Sequence, residues 1–99
     1  MRALIAALLL AGCASAPQQE IRTVPLDALT GQIVAGHTTR EQARALGEPV
    51  QRIRFDSGYE AWLYNYPGPA GAIGEYVILF APSGVVHKTR TAIVPLPPP

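Results

Sequence analysis

Apolar and polar positions repeat with two different periods along this chain, and the change of period predicts where helices give way to strands. A helical i, i+3, i+7 spacing relates three apolar residues, Leu26, Leu29 and Ile33. This spacing predicts a short helix with Pro25 in its first turn. Gly31 weakens that helix, and Gly36 is expected to end it.

Residues 36–49, GHTTREQARALGEP, contain signals for both ends of a second helix. Thr38 and Glu41 are three residues apart and fit a capping box, in which each side chain satisfies a free backbone N–H. Gly47 is expected to end this helix with a positive φ, and Pro49 prevents its continuation. A helix of one or two turns is unstable alone, so packing against the rest of the domain must hold it.

After Pro49 the period changes to two, which is typical of strands. In residues 51–55, Ile53 and Phe55 fall on one face, while Arg52 and Arg54 fall on the other. We interpret the arginines as the solvated face of this strand, with contact to phospholipid headgroups as the alternative. The following Asp-Ser-Gly at 56–58 predicts a turn.

Two further strands and a final hairpin follow this turn. YEAWLYNY at 59–66 places the aromatic side chains of Trp62, Tyr64 and Tyr66 on one face. A core role for these aromatic residues is favoured over an exposed docking patch, because so small a domain has few other large residues. EYVILF at 75–80 predicts the next strand, and APSG at 81–84 turns the chain into a strand over 85–90. The pattern therefore predicts an α+β fold, with two short helices packed on a three- to four-stranded antiparallel sheet.

The N-terminal residues have the features of a secretory signal. Arg2 precedes an unbroken apolar stretch at 3–11, which is too short to span a bilayer as a helix. Removal of residues 1–12 would leave seven basic and seven acidic residues. A nearly neutral chain lacks the basic excess that nucleic-acid binding requires, so nucleic acid is not an expected partner.

Cys13 is the single cysteine of the chain, and it directly follows the apolar stretch. A disulfide would need a second cysteine in the chain, and a free exported thiol would be exposed to oxidation. The sequence Leu-Ala-Gly-Cys at 10–13 resembles the lipobox of bacterial lipoproteins. This resemblance implies a diacylglycerol on Cys13, cleavage before it, and acylation of the new amino terminus. Ala14, in place of aspartate, implies sorting to the outer membrane.

Composition divides the chain into four segments. Residues 1–12 are expected to be the lipoprotein signal peptide, and residues 13–23 a polar tether. Residues 24–94 form the candidate folded domain. Residues 95–99 contain four prolines and are expected to be an extended, solvated tail.

The order of several short motifs in residues 26–90 resembles the SmpA/OmlA/BamE family of small outer-membrane lipoproteins. These motifs are Gly36-x-Thr38, Leu46-Gly47-x-Pro49, Trp62-x-Tyr64, and Phe80 before Ser83-Gly84. The resemblance implies two helices on an antiparallel meander and an accessory role in the machinery that inserts β-barrels into the outer membrane. His37 and Gln42 depart from the family pattern, which often has methionine and an apolar residue at these positions.

The chain shows no residue pattern that is typical of catalysis or metal binding. His37 and His87 are its two histidines, and no cysteine or histidine cluster accompanies either of them. Asp56, Ser57 and His87 could be arranged as a triad, but the surroundings of Ser57 do not resemble a nucleophile elbow. GPAGAIG at 68–74 lacks the lysine of a phosphate-binding loop. We therefore expect no catalytic residue, no metal, no cofactor and no small-molecule substrate.

The sequence thus predicts a docking protein on the periplasmic side of the outer membrane of a Gram-negative bacterium. Its expected partners are membrane lipid, through acylated Cys13, and proteins of the β-barrel assembly machinery. The alternative hypotheses are a free-standing, stress-related envelope lipoprotein and a periplasmic enzyme inhibitor. The candidate contact surface consists of five residues, Arg52, Arg54, Phe55, Leu63 and Tyr64.

Overall fold

The computed structural model describes residues 22–94 of the 99-residue chain. These residues form a four-stranded antiparallel sheet with two short helices. The predicted α+β class is therefore confirmed. The predicted signal peptide, the Pro-rich tail at 95–99 and most of the tether, including Cys13, lie outside the described residues.

The first helix, α1, spans Leu26–Gln32 and follows Pro25 as predicted. Leu29 and Ile33 are both buried, in agreement with their helical spacing. The prediction that Gly36 ends this helix is wrong, because Ile33 already has an extended backbone (φ −100°, ψ 107°). Gly36 has a φ of 83° and lies in the turn that leads to the second helix.

The Thr38 side chain stabilises the segment that follows α1 through two hydrogen bonds. Its hydroxyl accepts a hydrogen bond from the Val34 N–H at 2.8 Å and donates one to the Gln32 carbonyl at 2.9 Å. The residue is buried, so these two bonds satisfy polar groups that are largely shielded from water. The Thr38 hydroxyl is therefore not available to cap a helix.

The second helix, α2, spans Arg40–Ala43 and is capped by Thr39 rather than Thr38. The Gln42 N–H donates to the Thr39 hydroxyl at 3.3 Å, and the Thr39 N–H donates to the Gln42 side chain at 2.9 Å. The predicted capping box exists, but it begins one residue later and uses Gln42 in place of Glu41. Glutamine and glutamate both fill this position in capping boxes.

A 3₁₀ turn over Arg44–Leu46 extends α2 and ends at Gly47. The predicted positive φ of Gly47 is confirmed, with φ 101° and ψ 179°. This combination is essentially restricted to glycine. The buried Pro49 follows and directs the chain into the sheet.

The sheet has the order β1-β2-β3-β4, and every neighbouring pair is antiparallel. The four strands are Gln51–Arg54 (β1), Glu60–Pro67 (β2), Ile73–Phe80 (β3) and Val86–Val94 (β4). The predicted turns join them, and Gly58 and Gly84 have positive φ values in the first and last of these turns. A 3₁₀ turn over Pro69–Gly71 connects β2 to β3.

The core lies between the helices and the even-numbered residues of β2 and β3. Trp62 and Tyr64 are each 1% exposed, which confirms that the aromatic face of β2 belongs to the core. Trp62 packs edge-on against Phe80, with ring centroids 4.7 Å apart. The remaining members of this cluster are Leu29, Ile33, Ala43, Tyr66, Tyr76, Ile78 and Val86. We call this side of the sheet the helix-covered face and the opposite side the uncovered face.

Candidate functional site

The two arginines of β1 lie on the helix-covered face and are exposed, in agreement with their interpretation as solvated side chains. Arg52 pairs with Trp62 across the strands, whereas Ile53 pairs with Ala61 on the uncovered face. The Arg52 guanidinium carbon is 5.0 Å from the centre of the Trp62 ring, and the guanidinium forms an ion pair with Glu48. A guanidinium over an indole ring is a favourable cation–π contact. The Arg52 side chain therefore covers the Trp62 ring at the edge of the core.

Arg54 is paired with Glu60 in the register of β1 and β2. Glu60 is 6% exposed and forms an ion pair with Arg40. The Arg40 Nε and the Glu60 Oε1 are 3.2 Å apart. The Arg40 N–H is not aligned with that oxygen for a good hydrogen bond, so the contact is mainly electrostatic. Sequence patterns missed this pair, because Arg40 and Glu60 are brought together by the docking of α2 on the sheet.

Tyr64 is a core residue, so its prediction as part of an exposed contact surface is wrong. Its hydroxyl donates a hydrogen bond to the Gly47 carbonyl at 2.8 Å, which ties β2 to the end of the second helix. Burial first, and then the nearby Glu48 carboxylate, raises the pKa of the Tyr64 phenol above its ordinary value. The neutral phenol is therefore the form that the fold stabilises.

Phe55 and Leu63 complete the predicted contact surface, but they do not adjoin the arginines. Phe55 follows β1 and is 45% exposed at the hairpin turn. Leu63 pairs with Gln51 and Val77 and belongs to the uncovered face. The five predicted contact residues thus divide among the helix-covered face, the core, a turn and the uncovered face.

The uncovered face presents partly exposed apolar side chains. Odd-numbered residues of β2 and β3 project from it and are partly exposed. No described helix or strand packs on this side, since the helical core residues all cluster with the opposite face. Its apolar members are Ile53, Ala61, Leu63, Ile73, Val77 and Leu79.

Two cations of β4 border the uncovered face. Lys88 pairs with Leu79, and Arg90 pairs with Val77. A shallow hollow of about 260 Å³ lies beside Arg90 and is lined also by Glu75, Val77, Thr91 and Ala92. The surface therefore combines an apolar centre with two cations along β4 and the Glu75 carboxylate beside Arg90. The sequence EYVILF did not predict the uncovered face, because a continuously apolar strand does not show which of its two faces is covered.

A second concave region lies between the end of α1 and α2. This open groove has a volume of about 600 Å³ and is lined by Gln32, Val34, His37, Thr38, Gln42 and Ala45. The Thr38 hydroxyl and the Gln42 side chain are already used in local hydrogen bonds. Few polar groups therefore remain in the groove to orient a ligand.

The residues of the hypothetical triad have structural contacts of their own. The Ser57 hydroxyl accepts a long hydrogen bond from the Tyr59 N–H at 3.5 Å. The His87 ring meets the Tyr59 ring edge-on, with centroids 5.6 Å apart. Within residues 22–94, no three histidine, cysteine, aspartate or glutamate side chains gather as a metal-binding group.

Comparisons with protein-family models, curated proteins and solved structures gave no match. The family resemblance of the motifs therefore stays a prediction. In the described part of the chain, no helix has the length and apolar character of a transmembrane span.

Proposed function

We propose that this chain is a small outer-membrane lipoprotein that docks other proteins through the uncovered face of its sheet and has no catalytic role. The supporting observation is that face, on which Leu63, Val77 and Leu79 are partly exposed with no described element over them. Contiguous apolar surface on a small domain marks a site of interaction. An accessory role in β-barrel assembly is the form of docking that the motif resemblance implies.

The predicted anchor is consistent with this role. Lipidation of Cys13 would hold the domain at a membrane, because several acyl chains together bind far more stably than one. Eight residues, 14–21, separate Cys13 from the first described residue, Arg22, and they can span at most about 30 Å. The docking face would therefore work close to the lipid surface, where barrel proteins are assembled.

Photo-crosslinking in intact cells tests this proposal. A photoreactive amino acid at Leu63 or Val77 projects from the uncovered face, whereas one at Asp27 projects from the exposed side of α1. We expect the two sheet positions to capture a component of the β-barrel assembly machinery, and Asp27 to capture none. Deletion of the gene should also raise permeability to large hydrophobic antibiotics modestly, because an accessory tunes assembly without performing it.

Two results would contradict the assembly role. Crosslinks that are absent at both sheet positions, together with unchanged permeability, would favour a free-standing envelope lipoprotein. Capture of a periplasmic enzyme whose activity falls on binding would favour an inhibitor.

A further inference from the structure

We propose that the outer edge of β4 binds an extended, acidic segment of another polypeptide, which adds to the sheet as a fifth strand. The identification of this segment as a strand of a β-barrel protein awaiting insertion rests on the proposed function. The binding mode itself depends on the hydrogen-bonding groups and charges of β4.

The hydrogen bonds of β2 establish which way the backbone groups of each strand are directed. The Val50 N–H donates to the Leu63 carbonyl at 2.7 Å, and the Val24 N–H donates to the Asn65 carbonyl at 2.8 Å. Odd-numbered residues of β2 therefore direct their backbone groups away from β3. Because successive residues of a strand alternate in direction, the even-numbered residues of β2 bond to β3.

The same alternation in the direction of backbone groups applies to β3 and β4. Even-numbered residues of β3 pair with even-numbered residues of β2, so the odd-numbered residues of β3 direct their groups to β4. Val77 pairs with Arg90, and Glu75 pairs with Ala92. The odd-numbered residues of β4 beyond Lys88, namely Thr89, Thr91 and Ile93, consequently direct their N–H and C=O groups away from the sheet.

The first residue of β4 shows that this edge can form backbone hydrogen bonds with another segment. The Val86 N–H donates to the Thr38 carbonyl at 2.8 Å, and the Gly36 N–H donates to the Val86 carbonyl at 2.7 Å. The loop between the helices therefore covers the edge at Val86. The register then shifts, with His87 as an extra residue between the pairs of Val86 and Lys88. Beyond this bulge, no described segment pairs with the edge.

Charge distinguishes an acidic partner from other occupants. Lys88 and Arg90 project on the uncovered face of β4, the strand contains no acidic residue, and neither cation has an ion-pair partner in residues 22–94. Carboxylates on an added strand would lie directly across from them, at the distance where opposite charges stabilise a sheet. A second copy paired by twofold symmetry would instead bring four cations together on one face.

The other side of the edge favours apolar or β-branched residues in the partner. Thr89, Thr91 and Ile93 project there, and Ile93 is 45% exposed. A matching partner strand alternates acidic residues with apolar ones. Strands of outer-membrane barrels have this polar–apolar alternation, which is why such a strand is the expected natural ligand.

Peptide binding to the full-length protein in detergent tests the proposal. The probe is a fluorescent nine-residue peptide that alternates valine and glutamate, and fluorescence anisotropy measures its affinity. One control peptide has lysine in place of glutamate, and another keeps the glutamates but carries N-methyl groups on alternate amides. We expect the glutamate peptide to bind best. We also expect hydrogen exchange at the amides of Thr89, Thr91 and Ile93 to slow when it binds.

Two variants separate the charge from the backbone contribution. Arg90→Glu should weaken the glutamate peptide about fivefold and strengthen the lysine peptide, because it exchanges an attractive pair for a repulsive one. Thr91→Pro removes an N–H that β3 does not use, so the fold should persist while binding falls about tenfold. Thr91→Ser is its matched control and should bind normally.

Several results would overturn this inference. Equal binding of the N-methylated peptide, or no slowing of exchange at the three amides, would exclude strand addition. Protection that grows with protein concentration in the absence of peptide would identify a second copy as the occupant. If the purified protein binds the peptide but cells yield no crosslink to the assembly machinery, the proposed function fails and the edge site stands. Crosslinking to the assembly machinery without binding of the peptide would support the proposed function and overturn the edge site.

Discussion

Tyr66 and Gly74 are paired across β2 and β3, and the Tyr66 ring lies over the glycine. A methyl group at Gly74 would overlap the Cδ2, Cε2 and Cζ atoms of this ring. Glycine normally weakens a strand, but an aromatic ring packed across it restores the lost contact. Gly74 is therefore a packing residue of the core.

Replacement of Gly74 by alanine should destabilise the domain by about 1–3 kcal/mol, because the added methyl group must displace a buried ring. Gly31 is the matched control, since nothing lies within 4 Å of the position that its Cβ would occupy in α1. Gly31→Ala should stabilise the domain by about 0.5–1 kcal/mol. Chemical unfolding followed by the fluorescence of Trp62, the single tryptophan, measures both changes. Equal effects of the two substitutions would contradict the role of the Tyr66 ring.

Gly47 combines a positive φ with an extended ψ, so a branched L-residue at this position must strain the backbone. We expect Gly47→Val to lower the free energy of unfolding by about 1–3 kcal/mol. D-alanine at the same position, introduced by chemical synthesis, adopts this conformation readily and should preserve stability. Similar melting temperatures for the L-valine and D-alanine proteins would show that backbone conformation is not the cause.

Tyr64 should make stability depend on alkaline pH. Its folded-state pKa is raised above the unfolded value, first by burial and then by Glu48. The stabilisation from the neutral phenol is thus complete below a pH of about 10 and is lost as the pH rises through the folded-state pKa. Urea unfolding between pH 8 and pH 12 should show a steeper loss for the wild type than for Tyr64→Phe. Parallel pH profiles would assign the loss to groups other than Tyr64.

The anchor prediction is tested by Cys13→Ser, which removes the thiol that lipidation requires. The variant should remain an uncleaved precursor or become soluble, and it should leave the outer-membrane fraction. Cell fractionation after a high-salt wash, with labelling by a fatty-acid analogue, measures this change. Ser15→Ala is a suitable control because it alters a nearby residue without affecting the thiol. A serine variant that fractionates like the wild type would exclude lipidation as the cause of localisation.

The helices show how far local sequence can predict this fold. Apolar periodicity predicted the first helix, end signals predicted the second, and Gly47 was correctly predicted at the end of the second. The cap was misplaced because Thr38 and Thr39 are equally suitable by composition. Only the tertiary structure, in which the Thr38 hydroxyl bridges Gln32 and Val34, leaves Thr39 as the cap.

The candidate site was harder to predict, because alternation defines two faces without saying which one is buried. In β1 the apolar Ile53 would be expected to face the core, yet Arg52 does so by laying its guanidinium over Trp62. Long cationic side chains can cover apolar surface in this way. The strand β1 lies at the edge of the sheet and all four of its residues are exposed. Burial of its side chains therefore contributes little to which of its faces turns toward the core.

The bonds that join Val86 to Gly36 and Thr38 also bear on when the domain can fold. They fasten the loop between the two helices to the last of the four strands to leave the ribosome. Neither helix is long enough to persist alone, and the loop between them becomes fixed only after that strand has been made. The domain would then acquire its complete tertiary structure only after β4 has been synthesised.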